Sequence, residues 1–220
     1  MRIALVLTWA TLMLFAGANP ACAQTAAKSE NVQSLFNGRN LDGWRVVDQF
    51  SFEKHGQVVV RDGEVILSAG QPATGIAWKG KLPTDNYELT LEARRIEGDD
   101  FFCGLTFPVG KEFCTLILGG WGGKATGLSN VDDASAIEND TTSSIDFEQG
   151  RWYKVRLKVT PNKIEAWVDK EHIVDQKRAD HRFSVWWEQE PARPLGLVSW
   201  NTTAGFKNVQ LRSLEVPPRK

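Results

Sequence analysis

The sequence predicts an all-β fold, a sandwich of two antiparallel sheets, and three observations support this prediction. Apolar and polar residues alternate with period two from residue 57 onward, and no segment keeps a helical repeat. Turn residues separate many short strand-like runs at regular intervals. Neighbouring runs also pair with matched polarity when they are closed through two-residue turns. These features together are typical of strands that each bury one face between two sheets.

The clearest hairpin joins Arg151–Thr160 to Lys163–Asp169 through a turn at Pro161. Proline cannot donate a hydrogen bond to a sheet, so it belongs in the turn. The resulting register places Val159 opposite Ile164 and opposite charges across the reverse face. A slip of one residue would turn every apolar side chain outward, so the register is strongly specified.

A second hairpin is predicted where Gln57–Arg61 and Glu64–Ser68 flank the dipeptide Asp62-Gly63. Its register sets Val59 opposite Ile66. The last strands of the sandwich are predicted within residues 195–200 and 206–214, with the first and last strands lying near each other.

A third hairpin, Phe101–Val109 with Glu112–Gly119, decides the state of the two cysteines of the mature chain. A two-residue turn at Gly110 separates Cys103 from Cys114 by about 13 Å along the ladder, at ~3.3 Å per residue. A disulfide requires Cα atoms within about 7 Å. We therefore expect two free, buried thiols, unless a longer or bulged loop changes the register.

The N-terminus has the pattern of a secretory leader. Arg2 provides the positive charge, Ile3–Phe15 is apolar, and Ala21-Cys22-Ala23 is an A-x-A cleavage signal. The leader would direct export to the periplasm or the extracellular space and be removed by cleavage after Ala23. The alternative is a lipoprotein anchored through Cys22, for which the preceding residues are a poor signal.

The predicted organisation is a leader (1–23), a flexible segment (24–33), one sandwich domain (34–216) and a short tail (217–220). The 220-residue chain has 26 basic and 27 acidic residues, a formal net charge of −1. A chain without a basic patch is not expected to bind nucleic acid. No run beyond the leader approaches the ~20 apolar residues that a transmembrane helix needs. The oligomeric state stays open.

Three motifs identify a resemblance. The mature chain begins with LFNGRNLDGW at Leu35–Trp44, ends with GFKNVQLRSL at Gly205–Leu214, and has IEAWVD at Ile164–Asp169. These segments resemble the 3-keto-disaccharide hydrolase family over nearly the whole mature chain. The resemblance implies a concanavalin A-like jelly-roll sandwich of two antiparallel sheets.

The resemblance also implies an activity, the hydrolysis or lyase–hydratase cleavage of glycosides oxidised at carbon 3 of the sugar. The ketone acidifies the proton at C2, so a general base can remove it and the aglycone leaves from C1. Water then adds to the resulting enone. Such a site needs a base tuned toward neutral pH, and hydrogen-bond donors or a metal to stabilise the enolate.

The chain departs from the family pattern at two segments, Phe113–Gly119 and Gly196–Asn201. By resemblance, a glutamate and a histidine of the family are replaced here by Cys114 and Trp200. Both changes remove groups that could titrate or bind a metal. A carbohydrate-binding role without catalysis therefore stays open beside the enzymatic one.

Tryptophans near loops are the candidate sugar-binding residues, because an indole face can stack on the apolar face of a sugar ring. We expect Trp121, Trp186, Trp187 and Trp200 in this role, with Asn201 beside them. Only one of the adjacent Trp186 and Trp187 is expected to reach a ligand, since neighbouring strand residues point in opposite directions. The alternative for each tryptophan is a structural role without ligand contact, either buried in the core or shielding the core from solvent.

Residues 119–150 form a long polar stretch that begins with a glycine-rich run around Trp121. Long loops in compact domains are often binding loops, although a flexible connector would give the same pattern. We place the candidate site between this stretch and residues 182–201.

Acidic residues in this stretch supply oxygen ligands that suit calcium. A divalent metal is the candidate cofactor, with Asp132, Asp133 and Asp140 as ligands and further oxygens from Asn130, Glu138 and Asn139. Their spacing does not follow a regular calcium loop, so a solvated acidic loop is the alternative, and no motif requires a cofactor.

For catalysis, His181 and Glu188 are the candidate base and acid, because they lie close together in a loop-rich segment. A zinc site would need His55, His172 and His181 to converge, and their scatter disfavours it. We therefore predict an exported, glycan-active protein that cleaves 3-keto-glycosides. The alternatives are a noncatalytic carbohydrate-binding module and a structural cell-envelope protein on the same scaffold.

Overall fold

The computed structural model describes residues 32–215, and it confirms a sandwich of two β-sheets. Two short 3-10 segments, Phe50–Phe52 and Trp187–Ala192, are the helical elements of this part of the chain. The strands are β1 Val32–Ser34, β2 Trp44–Val46, β3 Val58–Arg61, β4 Glu64–Leu67, β5 Ala73–Trp78, β6 Tyr87–Glu97, β7 Cys103–Val109, β8 Glu112–Gly120, β9 Ala125–Ser129, β10 Ser143–Ser144, β11 Tyr153–Val159, β12 Lys163–Val168, β13 Glu171–Lys177, β14 Gly196–Trp200 and β15 Thr203–Ser213.

The strands form two antiparallel sheets. One sheet has eight strands in the order β13-β12-β11-β6-β15-β4-β3, with β1 added beside β15. The other has seven strands in the order β10-β9-β8-β7-β14-β5-β2. Strands that follow one another in sequence often lie far apart in a sheet, so the topology requires chain crossings between the two layers.

The three predicted hairpin registers are confirmed. Val159 lies opposite Ile164 and Val59 opposite Ile66. In the third hairpin Cys103 faces Leu118, and Cys114 faces Phe107. The first strand, β1, pairs with the last strand, β15, as predicted.

Alternation along the strands creates the main core between the two sheets. On β8, Cys114, Leu116 and Leu118 are buried in this core, where both thiols are free. Burial raises the pKa of Cys103 to about 12 and raises that of Cys114 further. Both sulfurs are therefore kept as unreactive thiols, because thiol chemistry requires the thiolate.

A second, smaller apolar cluster lies on the opposite face of the seven-stranded sheet. Ile117 on β8 and Val198 on β14 belong to it, whereas their strand neighbours Leu116 and Leu197 belong to the main core. The 3-10 segments supply Phe52 and Ala192 to this outer cluster. The seven-stranded sheet is therefore partly covered on both faces, and its outer face can carry a site.

The described residues begin inside the segment predicted to be flexible, since Val32 and Gln33 form the first part of β1. The remainder of that segment, the leader (1–23) and the tail (217–220) lie outside the described residues, and so does the basis of the predicted export. Within residues 32–215, no helix is long and apolar enough to cross a bilayer.

Candidate functional site

The outer face of the seven-stranded sheet carries a groove of about 360 Å³. We call it the outer groove. It lies between the two stretches in which the sequence placed the site. Its lining residues are Asp100, Phe101, Ile117, Trp121, Ser129, Ser135, Ile137, Glu138, Trp186, Glu188, Gln189 and Trp200.

The floor of the outer groove is aromatic and apolar. Trp200 is the last residue of β14, and alternation along that strand directs it to the outer face beside Val198. Its backbone N–H donates to the carbonyl of Phe101 at 3.0 Å, and the two rings lie 5.8 Å apart. The floor is thus fixed by the sheet itself.

The side chain of Arg95 anchors the glycine-rich run that carries Trp121 by hydrogen bonds. This arginine is only 6% exposed, and its Nη2 donates to the carbonyls of Gly119 at 3.0 Å and Gly123 at 2.8 Å. Burial lowers the pKa of Arg95, with nearby acidic groups opposing the shift. The run is therefore an anchored turn, and Trp121, 48% exposed, projects from it.

The rest of the 119–150 stretch is also ordered by hydrogen bonds and contains β9 and β10. The side chain of Asn139 donates to the carbonyls of Leu128 at 2.8 Å and Ser135 at 2.8 Å. Its Oδ1 accepts from the backbone N–H and the hydroxyl of Thr141. Asn139 therefore organises the loop, which removes it from the predicted metal ligands.

Asp100 joins the floor of the outer groove to the Trp121 turn. Its Oδ1 accepts hydrogen bonds from the N–H groups of Phe101 at 2.7 Å and Trp121 at 3.2 Å. Partial burial raises the pKa of Asp100, and the two backbone hydrogen bonds limit that rise. A carboxyl group with a raised pKa in a groove is a candidate general base. Asp100 was not among the predicted site residues, because nothing in the Asp99-Asp100 dipeptide signals burial.

Glu138 also lines the outer groove. Its Oε2 accepts from the N–H of Ser135 at 3.2 Å and from the hydroxyl of the same serine at 2.5 Å. The hydroxyl bond, with the backbone bond, lowers the pKa of Glu138. This carboxylate therefore stays ionised at neutral pH.

Another part of the lining comes from the 3-10 segment and the residue before it. Trp186, Glu188 and Gln189 line the outer groove. Trp187 does not; it is 60% exposed and packs edge to face on Phe50 at 5.9 Å. Only Trp186 of the two adjacent tryptophans lines the groove, as predicted. The predicted reason was wrong, because the two residues lie at the start of a 3-10 segment and not in a strand.

Gln189 is 5% exposed although it is polar. Its backbone N–H donates to the carbonyl of Trp186 at 2.8 Å, which fixes the turn. Its side-chain Oε1 is buried without a donor among the residues that the structure describes. A buried amide oxygen without a donor is costly, and a ligand that supplies a donor recovers that cost.

Asn201, the other predicted sugar-binding residue, lies outside the groove lining. Its N–H donates to the carbonyl of Pro72 at 2.7 Å, and it has a positive φ of 46°. Asparagine tolerates this left-handed conformation, so a turn explains Asn201.

The structure separates the predicted catalytic pair. Glu188 lines the outer groove, but His181 lines a different concavity of about 530 Å³. We call the latter the basic depression. Its lining residues are Glu112, Pro161, Asn162, Lys163, Lys177, Arg178, Ala179, His181 and Phe183. The two residues are seven positions apart in sequence, yet they belong to different sites.

The predicted metal ligands do not form one cluster, and two of them interact with basic side chains. Asp132 accepts from His181 Nδ1 at 2.6 Å, and Asp133 pairs with Arg182 at 3.0 Å. The backbone N–H of Arg182, followed by His181, lowers the pKa of Asp132. Asp140 is exposed. Within residues 32–215, no three His, Cys, Asp or Glu side chains are grouped to hold a metal ion.

The two departures from the family pattern have different places in the fold. Cys114 is buried in the core between the sheets, so it is not part of the outer groove. Trp200 lies in the groove floor. Of these two positions, only Trp200 therefore contributes to the groove, where it places an indole.

A family model described as the 3-keto-alpha-glucoside-1,2-lyase-like domain matches residues 31–212, which is most of the chain. None of the curated proteins compared with the chain matches it.

Solved structures with the same fold include carbohydrate-binding and glycan-cleaving proteins. The carbohydrate-binding module CBM66 from Bacillus subtilis is 14% identical, with a TM-score of 0.51 over 79% of this chain and 98% of its own. A lichenase from a mouse hindgut metagenome is 9% identical, with a TM-score of 0.55 over 84% and 98%. A laminarinase from Flavobacterium sp. UMI-01 is 11% identical, with a TM-score of 0.53 over 83% and 98%. At these identities the likeness shows the fold alone, and it confirms the jelly-roll sandwich.

Proposed function

The chain belongs to the 3-keto-alpha-glucoside-1,2-lyase-like domain family, and from this premise we propose that it cleaves 3-keto-glycosides in the outer groove. The observation that carries the proposal is Asp100, a part-buried carboxyl group with a raised pKa between Trp121 and the groove floor. A raised pKa brings a carboxylate closer to the basicity that proton abstraction needs.

In this mechanism Asp100 takes the proton from C2 of the oxidised sugar. The electron pair of the C2–H bond forms the C1–C2 double bond, and the C1–O bond breaks with its electrons on the aglycone oxygen. Glu188 lines the same groove and is the candidate carboxylate that orients the water molecule that protonates this oxygen. Water then adds across the enone, which completes the net hydrolysis.

The negative charge on the C3 oxygen requires hydrogen-bond donors. The side-chain NH2 group of Gln189 is the candidate donor, since Gln189 lines the groove. A divalent metal such as calcium stays a prediction. The described residues do not group three metal-binding side chains, so no step is assigned to a metal.

Release of aglycone tests the proposal directly. Nitrophenyl 3-keto-glucosides of both anomers are incubated with the protein, and free nitrophenol is followed by absorbance. We expect release from at least one anomer, and none from the unoxidised glucosides. No release above that of buffer from either anomer, with or without added calcium, would contradict the proposal.

The Asp100→Asn and Asp99→Asn variants separate enzymatic release from spontaneous elimination. Asn keeps an oxygen that accepts the two backbone hydrogen bonds but cannot act as a base. Asp99 is the exposed neighbour and does not line the groove. Asp100→Asn should remove the catalysed release, and Asp99→Asn should keep it.

A noncatalytic carbohydrate-binding role is the second candidate, and Trp200 favours it. The groove has an indole where the family pattern has a histidine, and such a surface suits sugar stacking. Binding of unoxidised glycans that Trp121→Ala abolishes, without any cleavage of 3-keto-glycosides, would support this role. A glycan array without any bound member would exclude it.

A further inference from the structure

The ionisable side chains of the outer groove are all acidic. Asp100, Glu138 and Glu188 line it, and the lining contains no lysine, arginine or histidine. Two hydrogen bonds from Ser135 keep Glu138 ionised. Opposite charges attract more strongly near low-dielectric walls than in bulk water, so this lining repels anions and attracts cations.

The aromatic residues that line the groove also favour a cation over an anion. Trp121, Trp186 and Trp200 border the same space as the three carboxylates. The negative face of an indole attracts a cation that lies within about 6 Å of the ring. Two of these indoles, Trp121 and Trp186, are 48% and 43% exposed, so their faces are available to a ligand.

Gln189 independently indicates a ligand with polar hydrogens. It is more than nine-tenths buried, it lines the groove, and its Oε1 has no donor among residues 32–215. The two serines of the groove use their hydroxyls on Asn130 and Glu138, so they do not supply that donor. A ligand hydroxyl or ammonium group can supply it.

We propose that the outer groove prefers glycosides that carry a protonated amine over their neutral counterparts, and that it excludes glycosides that carry a carboxylate. This inference rests on the proposed function, because it assumes that the groove is the saccharide site. It names the substrate class of that site, basic amino-sugar glycosides, with neutral glycosides as weaker ligands and uronic acid glycosides as rejected ones.

Three matched methyl glucosides that differ only at carbon 6 test the inference. They are methyl glucoside, its 6-amino-6-deoxy derivative and methyl glucuronide, and binding is measured by titration calorimetry at neutral pH and low salt. We expect the amine to bind about tenfold more tightly than the neutral sugar, and the glucuronide about tenfold more weakly, as for one close charge contact. The preference should shrink in about 0.5 M NaCl, because salt screens exposed charges.

Glu188→Gln identifies the groove as the source of the preference, with Glu190→Gln as its matched control. Glu190 lies in the same 3-10 segment, pairs with Arg193 and does not line the groove. Glu188→Gln should reduce the amine preference at least about threefold, and Glu190→Gln should leave it unchanged.

Equal affinity for the amine and the neutral sugar, tighter binding of the glucuronide, or no binding of the amine would each overturn the inference. So would a preference that Glu188→Gln does not alter. These results leave the cleavage of neutral 3-keto-glycosides untouched, because that reaction is followed on different compounds. The failure of the inference is therefore distinct from the failure of the proposed function.

Discussion

The outer groove and the basic depression differ in charge, in aromatic content and in the way their side chains are satisfied. Lysine, arginine and histidine side chains line the basic depression, and several are already paired, Lys163 with Asp175 and Arg178 with Asp85. The outer groove has three carboxylates, three indoles and a glutamine whose Oε1 has no donor among the described residues. The exposed indoles and the free Gln189 oxygen of the outer groove remain available to a ligand, so the comparison favours the outer groove as the site.

A short buried segment divides the two regions. Phe183 and Val185 are buried, and Ser184 and Asn130 exchange backbone hydrogen bonds at 2.7 and 3.3 Å. His181 precedes this segment and Trp186 follows it. Residues on the two sides therefore belong to different surfaces, which explains why closeness in sequence was a poor guide to the catalytic pair.

Asp100→Asn should have the largest effect on catalysis. If this variant keeps full activity, the outer groove is not the catalytic site. We expect kcat/KM toward a 3-keto-glycoside to fall at least about 100-fold, because a general base contributes 10²–10⁴-fold. In the wild type, activity should fall as the pH drops through the raised pKa of Asp100, since the protonated carboxyl cannot accept the C2 proton.

His181→Gln is the counterpart in the basic depression. Its expected effect on kcat/KM is within about twofold, because His181 does not line the outer groove. A loss of activity in His181→Gln with normal activity in Asp100→Asn would reverse the assignment of the two regions.

Arg95→Met tests whether Arg95 anchors the turn that carries Trp121. The variant keeps the aliphatic bulk but leaves the carbonyls of Gly119 and Gly123 without their donor. Buried acceptors that lose a charged donor cost about 1–3 kcal/mol, so urea unfolding should show a loss of about 2–3 kcal/mol.

Arg182→Met is its control, since Arg182 is exposed and pairs with Asp133 at the surface. Exposed pairs contribute about 0–1 kcal/mol. An equal loss of stability in both variants would mean that Arg95 does not hold the Trp121 turn.

Trp186→Ala and Trp187→Ala sharpen the comparison within one dipeptide. Trp186 lines the outer groove, whereas Trp187 packs on Phe50 outside it. We expect Trp186→Ala to weaken glycoside binding about tenfold, as for the loss of about 1.4 kcal/mol of contact energy, and Trp187→Ala to leave the affinity unchanged. Quenching of tryptophan fluorescence during titration measures both.

Asp132→Asn should have the smallest effect, and that effect should depend on pH. The folded-state pKa of Asp132 is lowered, so its ionised form stabilises the fold at pH values above its unfolded pKa. This contribution is lost as the pH falls through the lowered folded pKa. The Tm difference between wild type and Asp132→Asn should therefore be small at neutral pH and vanish in acid, with glycoside cleavage unaffected at neutral pH.

Several parts of the site were predictable from sequence, and others were not. Trp121, Trp186, Trp200 and Glu188, which line the outer groove, could be proposed from the sequence because tryptophans and carboxylates near loops are visible as residue types. Asp100 was missed, because its importance comes from burial and from contacts that no local pattern reports. Its own N–H donates at 3.1 Å to the hydroxyl of Thr202, which is 102 positions away in the chain.

The sequence by itself determined the strands of the three predicted hairpins, their registers and the free state of Cys103 and Cys114. These features follow from period-two alternation and from turns of two residues, both of which act over a few neighbouring positions. The tertiary structure alone decided which loops meet over the outer face of the seven-stranded sheet. That meeting depends on contacts between distant segments, and it separated His181 from Glu188 and placed Asp100 beside Trp121.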